Sequence, residues 1–77
     1  MDFQAAAEAA GYGRRRWYSA VQVARVAGVE LGAVVADTRS GRLESRRRRR
    51  AGGAPMYRAE WVQEWIDGKE ERWDAGS

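Results

Sequence analysis

The residues of this chain best suited to chemistry are arginines. Five of them, Arg46, Arg47, Arg48, Arg49 and Arg50, follow one another without interruption, with Arg39, Arg42 and Arg58 close by. A guanidinium stays charged at any physiological pH and presents a planar fork of N–H donors that matches pairs of phosphate oxygens, so this pattern suits a polyanion. Laid out as a strand, the run places Arg46, Arg48 and Arg50 on one face and Arg47 and Arg49 on the other. Charges packed this densely repel one another in the free protein, a cost that phosphate neutralisation relieves. The chain has no cysteine and no histidine, which removes disulfides, thiolate metal sites and the commonest general base. Its acids gather toward the end of the chain instead of pairing around an apolar stretch. No nucleophile and base and no metal set is recognisable, so neither catalysis nor a cofactor is expected.

The net charge of +3 conceals an uneven distribution. Residues 1–13 carry two acids and no base, residues 14–58 carry twelve arginines against Glu30, Asp37 and Glu44, and residues 59–77 carry six acids against two bases. A basic middle is flanked by acidic ends. Such a middle creates a local positive field, while the acidic tail suits solvent, a protein partner or a neighbouring subunit. A merely solvated face mixes signs and mixes lysine with arginine, whereas this segment is almost purely arginine. Seventy-seven residues make one small domain. No apolar run approaches the roughly 18 residues that cross a bilayer, and Met1-Asp2-Phe3-Gln4 lacks the basic start of a secretory signal. A soluble cytoplasmic protein with no membrane partner is expected.

The elements that must position the arginines carry clear punctuation. Asp2 to Ala10 is alanine-rich and predicts about two turns of helix, too few to stand alone, which fray unless Phe3 docks. Gly11-Tyr12-Gly13 breaks it, and Arg14-Arg15-Arg16 forms a basic arm leading to Trp17 and Tyr18. Ser19 and Gln22 have the spacing of a capping box, and Tyr18 can staple onto Val23, so a helix is predicted to start at Ala20. Ala20, Val23, Ala24 and Ala27 give it a narrow apolar stripe. Gly28 stops it, with Val29 folding back on Ala24 in a Schellman closure. A second helix spans Leu31 to Arg39, with Val34 and Thr38 on one face and Gly32, Ala33, Ala36 and Arg39 on or near the other. Ser40-Gly41 ends it. Two short helices joined through a tight glycine turn follow the helix-turn-helix plan.

Leu43 to Arg50, a turn at Ala51-Gly52-Gly53-Ala54, and Pro55 to Arg58 read as a two-stranded ribbon open to solvent. Pro55 fits only at a strand start or an edge. Leu43 and either Met56 or Tyr57 must pack on the helices, because an isolated hairpin is barely stable. A last helix begins near Ala59, with Val62, Trp65 and Ile66 on one face, Trp61 one turn before Trp65, and Gly68 as its stop. The tryptophans read as core. Whichever of Trp61 and Trp73 proves exposed is a candidate anchor for a protein partner.

Tyr18-Ser19-Ala20-Val21-Gln22-Val23-Ala24, Gly28-Val29, Val34, Ser40-Gly41-Arg42-Leu43, the basic hairpin and Tyr57-Arg58-Ala59-Glu60-Trp61-Val62 together resemble the excisionase-type, MerR-like winged helix-turn-helix proteins. The similarity covers about residues 18–67 and is most specific at the fourteen-residue step from Gly28 to Gly41 and the Ser-Gly-Arg-Leu there. The resemblance implies an α+β winged helix-turn-helix fold of three short helices with a two-stranded β-hairpin wing over residues 17–68. Residues 1–16 would then be an N-terminal arm, partly helical or frayed, and residues 69–77 an acidic C-terminal tail. Many such proteins are phage recombination directionality factors, which bind repeated DNA sites cooperatively, bend the DNA and steer an integrase toward excision. The implied partners are therefore double-stranded DNA, a site-specific integrase and neighbouring copies associated head to tail on DNA, at the nucleoid of a bacterial host cell.

The same resemblance assigns the sites. Ala33, Ala36, Thr38 and Arg39 fall on the recognition helix, Arg46 to Arg50 on the wing, and Ser19, Arg42 and Arg58 on the DNA backbone. The chain departs from the pattern in having Gly32, Ala33 and Ala36 where polar or basic side chains are usual, and Asp37 and Thr38 where apolar ones are. Base-edge hydrogen bonds are then limited to Arg39 and Thr38, with Ala33 and Ala36 touching only thymine methyls. Affinity is expected from phosphates, and selectivity from DNA shape. A small transcriptional repressor is the alternative within the same class. A protein-interaction adaptor working through the segment from Trp61 to Trp73 is the alternative outside it.

Overall fold

The computed structural model describes residues 1–47 and 53–75, with side chains as far as residue 69. Its elements run α1 (Phe3–Ala9), β1 (Trp17–Ser19), α2 (Ala20–Ala27), α3 (Leu31–Arg39), β2 (Arg46–Arg47), β3 (Pro55–Arg58) and α4 (Ala59–Ala75). Among the described residues the fold is a small α+β one, with four helices and one antiparallel sheet in the order β1-β3-β2.

The first helix is not an arm outside the domain. Asp2 caps it by accepting the Ala5 N–H at 3.2 Å, and Phe3 and Ala7 are completely buried. The Phe3 ring meets Tyr18 edge-on at 4.9 Å. Gln63 of α4 fastens the chain start from the other side, accepting the Phe3 N–H at 2.7 Å and donating to the Met1 carbonyl at 2.6 Å. A seven-residue helix is marginal in isolation, so this docking is what makes it stand. The following loop turns through Gly11 and Gly13, both at positive φ. It returns to the core through Tyr18, whose hydroxyl donates to the Gly13 carbonyl at 3.1 Å and accepts the Arg15 N–H at 3.0 Å.

The helix pair forms where its punctuation places it. Ser19 accepts the Gln22 N–H at 3.2 Å while the Gln22 side chain accepts the Ser19 N–H at 3.0 Å, completing the capping box. Gly28 takes the left-handed conformation at φ 71°, and the Val29 N–H reaches the Ala24 carbonyl at 3.0 Å. That six-to-one bond is the Schellman closure. Val23, Ala24 and Val26 of α2 and Val34 of α3 are buried with Leu43, Tyr57, Val62, Trp65 and Ile66 in a single cluster.

The sheet has three strands, not the two of a free ribbon. β3 is central, with Tyr57 opposite Tyr18 of β1 on one side and Met56 opposite Arg46 of β2 on the other. Three residues at 17–19 are too few to show alternation, and their partner strand is distant in the chain, so β1 left no local signal. Pro55 opens β3 opposite Arg47, beyond the end of β1, where its missing N–H removes no bond to that strand. Arg48, Arg49, Arg50, Ala51 and Gly52 lie outside the described residues. α4 starts at Ala59 as its pattern requires, but passes through Gly68 and continues to Ala75. Most of the expected tail is thus helical. Among the described residues no helix is long and apolar enough to cross a membrane.

Candidate nucleic-acid interface

The outward face of α3 is set by what its inward face holds. Val34 is fully buried, and the Thr38 hydroxyl donates to the Val34 carbonyl at 2.7 Å. With that single proton committed, Thr38 Oγ1 must accept from the Tyr57 hydroxyl, also 2.7 Å away. Thr38 is therefore turned into the domain. It is not on the exposed face with Arg39, and its hydroxyl serves the contact between α3 and β3. Gly32, Ala36 and Arg39 are exposed as expected, and Ala33 is half-buried.

A second inward group was not recognised as functional in the sequence. The Asp37 carboxylate accepts the Trp65 indole N–H at 2.7 Å and lies 3.4 Å from the Lys69 ammonium, so it ties α3 to α4. Lys69 also sits over the Trp65 ring at 4.8 Å. The indole hydrogen bond holds the Asp37 carboxyl below its ordinary range; desolvation works against it, and the charges of Lys69 and Arg42 add to it. The Asp37 main-chain carbonyl meanwhile accepts the N–H groups of Arg42 at 2.9 Å and Leu43 at 3.1 Å. Gly41, at φ 82°, makes the bend that this requires. Leu43, only 1 % exposed, then anchors the chain before β2. One residue thus holds α3 against α4 and fixes the start of the basic segment.

Arg39, Arg42, Arg46 and Arg47 are all exposed. Among the described residues their guanidinium groups form no ion pair, whereas Arg14 pairs with Glu8 at 2.8 Å and Arg58 with Glu60 at 3.0 Å. The register puts Arg46 on the outer face of the sheet with Met56 and Ser19, and Arg47 on the opposite face. Arg58 shares that outer face with Trp17 and lies 5.7 Å from its ring centroid. Its charge is partly engaged. Ser19 uses the oxygen of its hydroxyl in the cap, which leaves the proton for a phosphate. Trp61 is half-buried and meets Trp17 edge-on at 5.8 Å, so it acts as packing between α4 and β1. Arg48, Arg49 and Arg50 of the expected wing site, and the side chain of Trp73, lie outside the described residues.

The arrangement can grip an anionic backbone through four exposed guanidiniums within nine consecutive residues, from 39 to 47, none of them in an ion pair among the described residues. It presents few hydrogen-bonding groups to anything that approaches α3. No family model, no curated protein and no solved structure matches this chain.

Proposed function

We propose that the chain is a double-stranded DNA-binding protein of the winged helix-turn-helix kind, with α2 and α3 as the helix pair and β2 and β3 as the base of the wing. In this reading it is an excisionase-like architectural factor: several copies bind adjacent sites, bend the duplex and direct a site-specific integrase toward excision. The observation that supports it is the exposed set Arg39, Arg42, Arg46 and Arg47, without ion pairs among the described residues, which begins at the last residue of a helix with an open outer face. Phosphate contacts from these side chains supply affinity and register, while the sparse outer face of α3 leaves much of the selectivity to DNA shape and deformability.

The test is a titration of fluorescent duplex DNA at two salt concentrations, with dyes at both ends to report bending. Affinity should fall steeply as salt rises, because each neutralised phosphate releases counterion, and energy transfer between the ends should rise on binding. Absence of affinity at low salt would give the function to a protein-binding adaptor. Tight binding without bending would favour a repressor.

A further inference from the structure

Four large apolar side chains are exposed among the described residues, and two of them, Leu31 at 45 % and Val35 at 36 %, stand on α3. They are one helical turn apart, so they form one strip. Gly32 and Ala36 lie beside them and are also exposed. A Cβ built on Gly32 would meet nothing within 4 Å, so the backbone itself is open there. A surface helix ordinarily turns charged or amide side chains outward. Here the exposed part of α3 holds one long polar side chain, Arg39, at its last position.

We propose that this strip reads thymine methyl groups: with α3 in the major groove, Leu31, Val35 and Ala36 pack on the C5 methyls, and the chain selects its site by apolar contact. The proposal rests on the DNA-binding reading and names what the helix recognises. The thymine methyl is the apolar group that base pairs present in the major groove, and the lack of a side chain at Gly32 lets the helix approach it closely. The charge around the strip identifies the occupant. Arg39, Arg42 and Arg46 follow it in the chain, exposed and outside the ion pairs among the described residues, and outnumber the exposed acids beside them, Glu30 and Glu44, which favours a polyanion over an apolar protein surface.

Repeating duplexes test this without knowledge of the natural site. Binding of the full chain to alternating A·T duplex is compared, at one fixed salt, with the same duplex carrying deoxyuridine for thymidine, and alternating G·C duplex with its 5-methylcytosine form. Each methyl touched should tighten binding about fourfold in both comparisons. Val35→Ser, or separately Leu31→Ser, should shrink that difference in both comparisons; both positions are exposed, so the core is untouched. Equal affinity for thymidine and uridine duplexes would overturn methyl reading and leave DNA binding standing. No binding to any of the four duplexes would overturn both. A free protein that sediments as a dimer and becomes a monomer in Leu31→Ser would assign the strip to a second copy and overturn the proposal.

Discussion

The carboxylate of Asp37 joins two helices that are distant in the chain, since the Trp65 indole it accepts lies 28 residues away. By sequence pattern Asp37 stands where an apolar residue is usual, and no local feature announces the distant tryptophan that satisfies it. Thr38 shares the face of Val34 by sequence pattern, but nothing local announces the Tyr57 hydroxyl that meets it there. Polar groups turned toward the domain are placed by their partners, and partners remote in sequence leave no periodic signal. Asp37 also has a defined pH signature. Its carboxyl lies below its ordinary value of 3.8 in the folded state, chiefly through the indole hydrogen bond. A group depressed on folding contributes stability above its unfolded pKa and loses it as pH falls through the folded value. Asp37→Asn keeps an acceptor for the indole but removes the charge, so it should cost about 1 kcal/mol at neutral pH. Thermal unfolding from pH 7 down to pH 2 should show the parent losing more stability than the variant below about pH 5. Parallel curves would mean that the carboxylate contributes nothing to stability.

At the level of elements, two glycines in similar settings behave differently. Gly28 adopts a positive φ and closes α2, whereas Gly68 stays helical within α4. Gly28 is followed by Val29, which packs against the core and draws the chain into a new direction. After Gly68 come Lys69, Glu70, Glu71 and Arg72, all strong helix formers. Lys69 is in addition held by Asp37 and the Trp65 ring. The capping box and the Schellman turn were legible because both are local, closed within six residues of chain. β1 and the course of α4 beyond Gly68 were not, because pairing and docking across the fold decide them. Gly68→Ala discriminates between the two readings by sign. The helix leaves open space around a Cβ there, so alanine should stabilise by up to about 1 kcal/mol, seen as a melting temperature raised by several degrees. A lowered melting temperature would place Gly68 in the left-handed conformation and end the helix at that point.

Across the whole molecule, α1 and α4 pack on one another at the acidic ends of the chain, while the basic residues occupy the stretch between. The basic middle of the sequence leaves Arg39, Arg42, Arg46 and Arg47 exposed and without ion pairs among the described residues, while Arg14 pairs with Glu8 and Arg58 with Glu60. It was legible from composition because exposed arginines need no partner to keep their charge. What composition does not separate is grip from readout, which the proposed function assigns to different elements. Arg46 and Arg47 form β2, exposed and without ion pairs among the described residues. Replacing both with alanine removes two cations without disturbing a buried side chain. Counterion release then predicts weaker binding to every duplex and a shallower dependence of log affinity on log salt, by up to about one unit for each phosphate no longer neutralised. The ratio of affinities for thymidine and uridine duplexes should stay as it was, because methyl reading as proposed assigns that ratio to α3. Titrations at three or more salt concentrations on both duplexes measure slope and ratio together. An unchanged slope would remove the wing from the interface, and a changed ratio would mean that the wing takes part in reading bases.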